Sequence, residues 1–260
     1  MTENILSPRE IRRYGKQIML PEIGIAGQEK LKKATVLVVG AGGLGCPVLQ
    51  YLTAAGIGKI CIMEFDTVDE TNLQRQVLYG SDDVGKLKSI IAKNRLEHLN
   101  LLGKTEIINL RLEAANATDI IKDFDLVVDA TDNLETRYII NDSCVILNKP
   151  MVHGSIFRYE AAVSVFNYQG GPTYRCFNPG SKDGNSRNPK PADVGLFGVL
   201  PGIAGTLMAN EVLKIITGAG EVLSGKILFF NISTNTFRTM NIKSVPENHN
   251  IGANLKFSQK

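Results

Sequence analysis

The sequence predicts an α/β fold: a mainly parallel sheet with helices on both faces, extended by antiparallel strands. Three observations predict it. The run Thr35-Val36-Leu37-Val38-Val39 is followed by Gly40-Ala41-Gly42-Gly43-Leu44-Gly45. A β-branched apolar run reads as a buried strand, and glycines at 40, 42 and 45 have the spacing of a nucleotide-binding turn that opens a helix. The run 124–130 is a further buried strand ending at Thr131-Asp132-Asn133, and helix 134–147 and strand 150–154 complete a second βαβ unit. From 159 to 168 the pattern changes to the alternation of an antiparallel strand, and 226–231 and 236–242 read as a hairpin. The layout is Rossmann-like.

The remaining elements follow in order. N-terminal helices occupy 7–33: Ser7 caps the first, Pro8 suits its first turn and Glu10 completes a capping box. That helix carries a polar, basic face of Arg12, Arg13, Tyr14, Lys16 and Gln17; Leu20-Pro21 breaks it, and a second helix spans about 27–33. The helix after Gly45 ends at Gly56-Ile57-Gly58, and a strand over 59–65 terminates in Glu64-Phe65-Asp66. Residues 69–76 are polar and poorly periodic, hence a loop or a single turn. A long helix runs from Lys86 to about Asn100, then a strand over 105–110 and a helix over 117–122. The segment 169–198 is a long, irregular crossover-type loop rich in proline and glycine, and such loops in compact domains are commonly functional. An apolar helix covers 202–217. One domain is expected over 1–245, with 246–260 as a loose tail.

Composition narrows the function classes. The chain of 260 residues is 43% hydrophobic and 21% charged, as in soluble globular proteins. A net charge of +3 gives no argument for a nucleic-acid or anionic-membrane partner. With no membrane-length apolar run and no signal-peptide layout, a cytoplasmic location is the default expectation. The four cysteines include no C-x-x-C pair, which argues against a disulfide framework or a zinc knuckle. Cys46, Cys61 and Cys144 read as small core residues, and Cys176 lies in the irregular loop.

The candidate site gathers at strand ends around the glycine turn: Glu64, Asn72, Arg75, Lys88 and Asp132. An acid at the distance of Glu64 from a glycine turn commonly holds ribose hydroxyls. A hydride-transferring dehydrogenase needs that acid but not two cations and a further carboxylate. Those fit a triphosphate with magnesium, since Mg²⁺ takes one or two carboxylates plus phosphate oxygens and Arg75 and Lys88 neutralise phosphate charge. Each cation alone reads equally well as a solvated surface charge; the clustering decides for a nucleotide enzyme acting at a phosphate.

Four stretches resemble the ubiquitin-activating-enzyme superfamily and its bacterial relatives MoeB, ThiF and HesA: Arg13-Tyr14-Gly15-Lys16-Gln17-Ile18, the glycine turn, Asn72-Leu73-Gln74-Arg75-Gln76 and Asp129-Ala130-Thr131-Asp132-Asn133. The resemblance covers residues 9–242. It implies ATP-dependent adenylation of the C-terminal glycine of a ubiquitin-like sulfur carrier of the MoaD or ThiS kind, ending in Gly-Gly, with release of pyrophosphate, in molybdopterin or thiamine biosynthesis. It also implies a homodimer. Carried over by position, Gly40, Gly42 and Gly43 lie against the nucleotide, Glu64 holds the ribose, and Asn72, Arg75 and Lys88, with Thr71, Leu73 and Gln74 of the same turn, contact the nucleotide. Asp132 holds Mg²⁺ with Asn133 beside it, and Lys16 matches an arginine that reaches the partner subunit's phosphates.

The sequence departs from the family at three points. Family members usually carry two C-x-x-C pairs for structural zinc; Thr173-Tyr174-Arg175-Cys176 keeps one cysteine and the tail has none, so no zinc site is expected. The loop position that often bears a cysteine for a covalent link to the carrier reads Asn188-Pro189-Lys190-Pro191-Ala192-Asp193, so adenylation without that link is expected. The usual ribose aspartate is Glu64. The alternatives are an NAD-dependent oxidoreductase, activation of another peptide C-terminus, and a non-catalytic nucleotide-binding scaffold.

Overall fold

A computed structural model describes residues 5–180 and 195–251. The chain begins with α1 (Pro8–Ile18) and α2 (Gly24–Lys33). Ser7 Oγ accepts the Glu10 N–H at 3.3 Å and Glu10 Oε2 accepts the Ser7 N–H at 2.7 Å, so the capping box forms as the sequence predicts. The parallel core then alternates β1 (Thr35–Val39), α3 (Gly45–Ala55), β2 (Lys59–Met63), α4 (Lys88–Leu99), β3 (Lys104–Ile108), α5 (Ala117–Ile121), β4 (Leu126–Asp129), α6 (Leu134–Ile146) and β5 (Met151–Phe157). β6 (Glu160–Phe166), α7 (Tyr174–Phe177), α8 (Leu200–Thr217), β7 (Lys226–Asn231) and β8 (Thr236–Asn241) complete it.

One eight-stranded sheet results, in the order β3-β2-β1-β4-β5-β6-β7-β8. Neighbours from β3 through β5 pair in parallel, and those from β5 through β8 antiparallel. The chain leaves β1 for β2 on one side and reaches β4 on the other. The carboxyl ends of β1 and β4 therefore flank a topological switch point, where open α/β sheets form their ligand crevice.

Alternate residues of each strand feed two cores, as a sheet covered on both faces requires. Val36 and Val38 pack with Leu49 and Leu52 of α3, Leu96 of α4 and Met208 and Val212 of α8. Leu37 and Val39 pack on the other face with Ile121 of α5, Ile140 and Cys144 of α6 and Tyr174 of α7. Cys46, Cys61 and Cys144 are buried, as read from the sequence, and burial pushes the first two thiols up to about 12 and about 11.

Several boundaries differ from the sequence reading. α2 starts at Gly24, whose positive φ of 57° turns the chain into the helix. α8 starts two residues early because Pro201 is favourable in a first turn. β5 extends to Phe157 because it pairs with β6 along its full length. The 169–198 loop contains α7, while its positions 188–193 lie outside the described residues. Residues expected to begin a loose tail instead form a 3₁₀ turn over Pro246–His249, and Ile251 is buried.

α1 is held at the amino-terminal edge of the sheet by buried Asn100. Its Nδ2 donates to the Tyr14 hydroxyl at 2.9 Å and to the Thr53 carbonyl at 2.7 Å, and its Oδ1 accepts the Leu102 N–H at 3.2 Å. Asn100→Ala leaves those buried groups unpaired and is expected to lower the unfolding free energy by about 2–3 kcal/mol in urea denaturation, with nucleotide affinity unchanged.

Candidate functional site

The site is built outward from Gly40. This residue has φ +96°, and a Cβ there would stand 2.8 Å from the Ala130 carbonyl oxygen. A Cβ on Gly45 would stand 2.1 Å from the Gly40 carbonyl oxygen. Both positions therefore exclude a side chain, and the turn lies directly against the end of β4. Gly42 and Gly43 face the 72–76 turn: a Cβ on Gly42 would be 3.6 Å from Gln76 Nε2, and one on Gly43 3.6 Å from Arg75 Cγ and 3.1 Å from Pro201 Cβ.

Side chains fix the turn's backbone. Buried Glu64, at the end of β2, accepts the Ala41 N–H on Oε2 at 3.0 Å. Its Oε1 accepts the N–H groups of Phe65 and Asp66 at 2.8 and 2.9 Å. A carboxylate offers about four acceptor positions, so room remains for a hydroxyl donor. The Ala41 carbonyl accepts the Tyr79 hydroxyl at 2.8 Å.

The 69–76 segment is a 3₁₀ turn, Glu70–Asn72, capped by Asp69, whose Oδ1 accepts the Thr71 N–H at 2.8 Å. Arg75 is held from within it: Nη1 donates to the Thr71 carbonyl at 3.1 Å and Nη2 to Asn72 Oδ1 at 3.0 Å. Asn72 Oδ1 also accepts from Gln76 at 2.9 Å, which leaves the Asn72 NH₂ without a partner among the described residues. Thr71 and Gln74 are exposed and Leu73 is half-buried. Lys88 opens α4 as a buried cation, its Nζ 3.4 Å from Oδ2 of the exposed Asp66.

The third wall is the 131–133 turn. Asn133 caps α6 by accepting the Thr136 N–H at 2.9 Å. Asp132 is exposed and makes no hydrogen bond or ion pair with any described residue. A carboxylate without a partner among the described residues, at a switch point, has the donor chemistry for a hard cation such as Mg²⁺. Among the described residues no group of three or more His, Cys, Asp or Glu side chains gathers into a ready-made metal cage.

The glycine turn touches the end of β4 through Gly40, Glu64 at the end of β2 through Ala41, and the 72–76 turn through Gly42 and Gly43, while Asp132 and Asn133 follow β4 and Lys88 opens α4 on the same carboxyl side of the sheet. Lys16 does not join them within one chain. Its helix packs on the C-terminal ends of α3 and α4, through Gln17 to the Ala55 carbonyl at 3.3 Å and Arg13 to the Leu99 carbonyl at 2.6 Å. Those ends lie at the edge of the sheet where the strands begin, across the sheet from the glycine turn. Lys16 is exposed and has no partner among the described residues.

Three supporting residues escaped sequence reasoning: Asp66 beside Lys88, Tyr79 on the glycine turn, and His153 behind Asp129. Asp66 follows Glu64 in the same strand-end motif and carries a local signal; the contacts of Tyr79 and His153 are tertiary and carry none.

Cys176 marks the place where the zinc cysteines of the resemblance would meet. The Val245 N–H donates to its Sγ at 3.4 Å, Asn248 Nδ2 lies 3.8 Å away and Thr173 Oγ1 3.4 Å away. Burial pushes this thiol up, but these hydrogen bonds outweigh it and hold it below its ordinary value. A hydroxyl, a backbone N–H and an amide are not the anionic ligands that structural zinc requires, so the residues present do not fit that metal.

A profile of the ThiF family matches residues 14–251. A sulfur carrier protein adenylyltransferase of Thermus thermophilus is 46% identical over 242 residues, which cover 91% of this chain and 89% of that protein. A probable molybdopterin-synthase adenylyltransferase of Porphyra purpurea is 48% identical over 236 residues, covering 91% of this chain and 62% of the relative. Among solved structures, E. coli MccB crystallised with ATP superposes with a TM-score of 0.75 at 28% identity, over 85% of this chain and 67% of MccB. PaaA superposes with a TM-score of 0.78 at 23% identity, over 94% of this chain and 77% of PaaA, a likeness of fold. With the glycine turn, the 72–76 turn and the 129–133 strand end all inside the matched span, the chain belongs to the ThiF family.

Proposed function

We propose that this chain is an ATP-dependent adenylyltransferase that activates the C-terminal glycine carboxylate of a small ubiquitin-like sulfur-carrier protein. The observation that carries the reading is the convergence, at one switch point, of a side-chain-free turn, two pre-positioned cations and an unpartnered carboxylate. A dinucleotide oxidoreductase has no use for Arg75, Lys88 and Asp132 together. The relatives named for sulfur-carrier and molybdopterin-synthase adenylylation, and a structural neighbour crystallised with ATP, support the same reading.

ATP lies with its ribose toward Glu64 and its phosphates between the glycine turn, Asn72, Arg75 and Lys88. The carrier's terminal carboxylate is already ionised at neutral pH, so no general base is required. One of its oxygens attacks the α-phosphorus, the bond to the bridging oxygen of the β-phosphate breaks, and pyrophosphate leaves with the electron pair. Asp132 would hold Mg²⁺, which when bound adds neutralising charge to the phosphates. Arg75 and Lys88 act by position and charge, the mode in which preorganised groups contribute most. In a homodimer, Lys16 of one protomer would reach the phosphates bound by the other. A lysine keeps the charge of the family's arginine but lacks its planar fork.

Carrier-dependent ATP–pyrophosphate exchange tests the assignment. Arg75→Ala and Asp132→Ala are each expected to lower the exchange rate by about 10²–10³-fold; near-normal exchange in Asp132→Ala removes its role.

The placement of Lys16 has its own test. Lys16→Ala and Asp132→Ala are each expected to be nearly inactive. Unfolded together and refolded, the mixture is expected to regain about a quarter of wild-type exchange, because half of randomly formed two-fold dimers are mixed and each mixed dimer restores one complete site. No recovery on mixing places Lys16 outside the partner's site.

A further inference from the structure

We infer that His153 and Asp129, a buried pair behind the 131–133 turn, are positioning residues that fix where the Asp132 carboxylate stands. This deepens the reading of Asp132 as the group facing magnesium-bound ATP, and rests on it.

β4 and β5 run parallel with Asp129 opposite His153. His153 Nδ1 lies 2.7 Å from Asp129 Oδ2, and the two side chains are 1% and 0% exposed. The other carboxylate oxygen, Oδ1, accepts the Thr131 N–H at 3.1 Å and the Thr131 hydroxyl at 2.6 Å. Arg137 of α6 completes the arrangement: its Nη2 donates to the Thr131 carbonyl at 2.8 Å, and its Nε lies 3.8 Å from Asp129 Oδ2 with no hydrogen-bond partner among the described residues. The N–H, hydroxyl and carbonyl of Thr131 are therefore all engaged by this cluster. Asp132 follows directly, and Asn133 beyond it is pinned as the cap of α6. Asp132 itself touches no partner among the described residues, so these two flanking residues set its place.

The energetics point away from a purely structural purpose. A buried carboxylate costs several kcal/mol to desolvate, and a well-packed apolar pair often serves stability equally well. Val127 and Met151, paired two residues earlier and so on the same face, are such a pair. Burial pushes His153 down, more than the facing carboxylate pulls it up, while the hydrogen bonds from His153 and Thr131 hold Asp129 below the usual carboxylate range in spite of its burial. The remainder of the ring lies among Phe166 and Tyr174, with centroids 5.8 and 5.0 Å away, which leaves it little freedom to rotate. What the costly pair provides is a rigid turn in front of the crevice.

The test is ATP binding by calorimetry, with MgCl₂ and with EDTA, on the full chain. In EDTA, His153→Leu is expected to bind ATP as the wild type does, while the gain in affinity from Mg²⁺ falls about tenfold, the usual cost of losing an outer-sphere partner. His153→Asn, whose amide nitrogen can occupy the place of Nδ1, is expected to keep that gain. Asp129→Asn, the same shape without the charge, is expected to lose it, so the inference stays testable should His153→Leu fail to fold. Equal weakening with and without Mg²⁺, or a full Mg²⁺ gain in both His153→Leu and Asp129→Asn, overturns the inference alone. A wild-type chain that binds no ATP overturns the proposed function and this inference with it.

Discussion

Between β1 and α3 the backbone passes where no side chain fits, and the rest of the site depends on that. The carbonyl of Gly40 occupies the space a Cβ on Gly45 would need, and the carbonyl of Ala130 occupies the space of one on Gly40. The consequence is contact between three elements: the end of β1, the first turn of α3 and the end of β4. Ala130 closes it by donating its N–H to the Val39 carbonyl at 3.0 Å. Glu64 and Tyr79 then grip the two polar groups of Ala41 from opposite sides. A methyl group at either glycine would force apart elements that the sheet hydrogen bonds hold together, and overpacking of that kind costs about 1–3 kcal/mol or more. The glycine turn and the two residues that grip it, Glu64 and Tyr79, take their positions from this junction.

The charged groups around it are prepared before any ligand arrives. Arg75 is tied to the turn that bears it. Lys88 is 7% exposed, and its partner Asp66 is 55% exposed at 3.4 Å, a weakly compensated cation in a desolvated place. An anion entering beside Lys88 recovers electrostatic energy that the folded chain has already forgone, which is how preorganised sites favour the charge distribution they are built for. Asp132 is the counterpart, a carboxylate without a donor among the described residues. Asp132 and Lys16 have no partner among the described residues, and in the proposed function they are the groups that would meet a metal ion and a neighbouring protomer.

How much of this was legible in the sequence follows from the range of each interaction. The glycine turn, the capping box at Ser7 and Glu10, and the strand-end acids Glu64 and Asp132 are local patterns with a fixed period, and each lies where the pattern put it. The change from parallel to antiparallel order after β5 was visible as a change of period near Tyr159. Element ends were not: β5 runs on to Phe157 because β6 offers partners, information that lies outside the strand itself. α7 was hidden in a loop because four residues carry no period. The pairs Asp129 with His153 and Ala41 with Tyr79 join residues 24 and 38 positions apart, and nothing near either partner announces the other. The glycine turn and the strand ends could be read; the buried groups that hold them could not.

α6 links that second layer to the far side of the fold. Elsewhere in the family, as the resemblance implies, a metal bound to four cysteines ties the region of α7 to the C-terminal segment, a bond of about 10–16 kcal/mol in isolated zinc peptides. Around Cys176, the hydrogen bonds from Val245 and Asn248 contribute about 1 kcal/mol each at most. α7 is also tied to α6. Arg175 forms a two-pronged ion pair with Asp142, at 2.7 and 2.6 Å, and lies 4.7 Å over the ring of Tyr138. Asn141 accepts the Tyr174 N–H at 2.7 Å and donates to Asp142 at 2.9 Å. The middle of α6 thus anchors α7 directly, while its first turn, through Asn133 and Arg137, anchors the Asp132 turn. One helix does both, so the support of α7 and the support of the candidate metal-facing turn meet in α6.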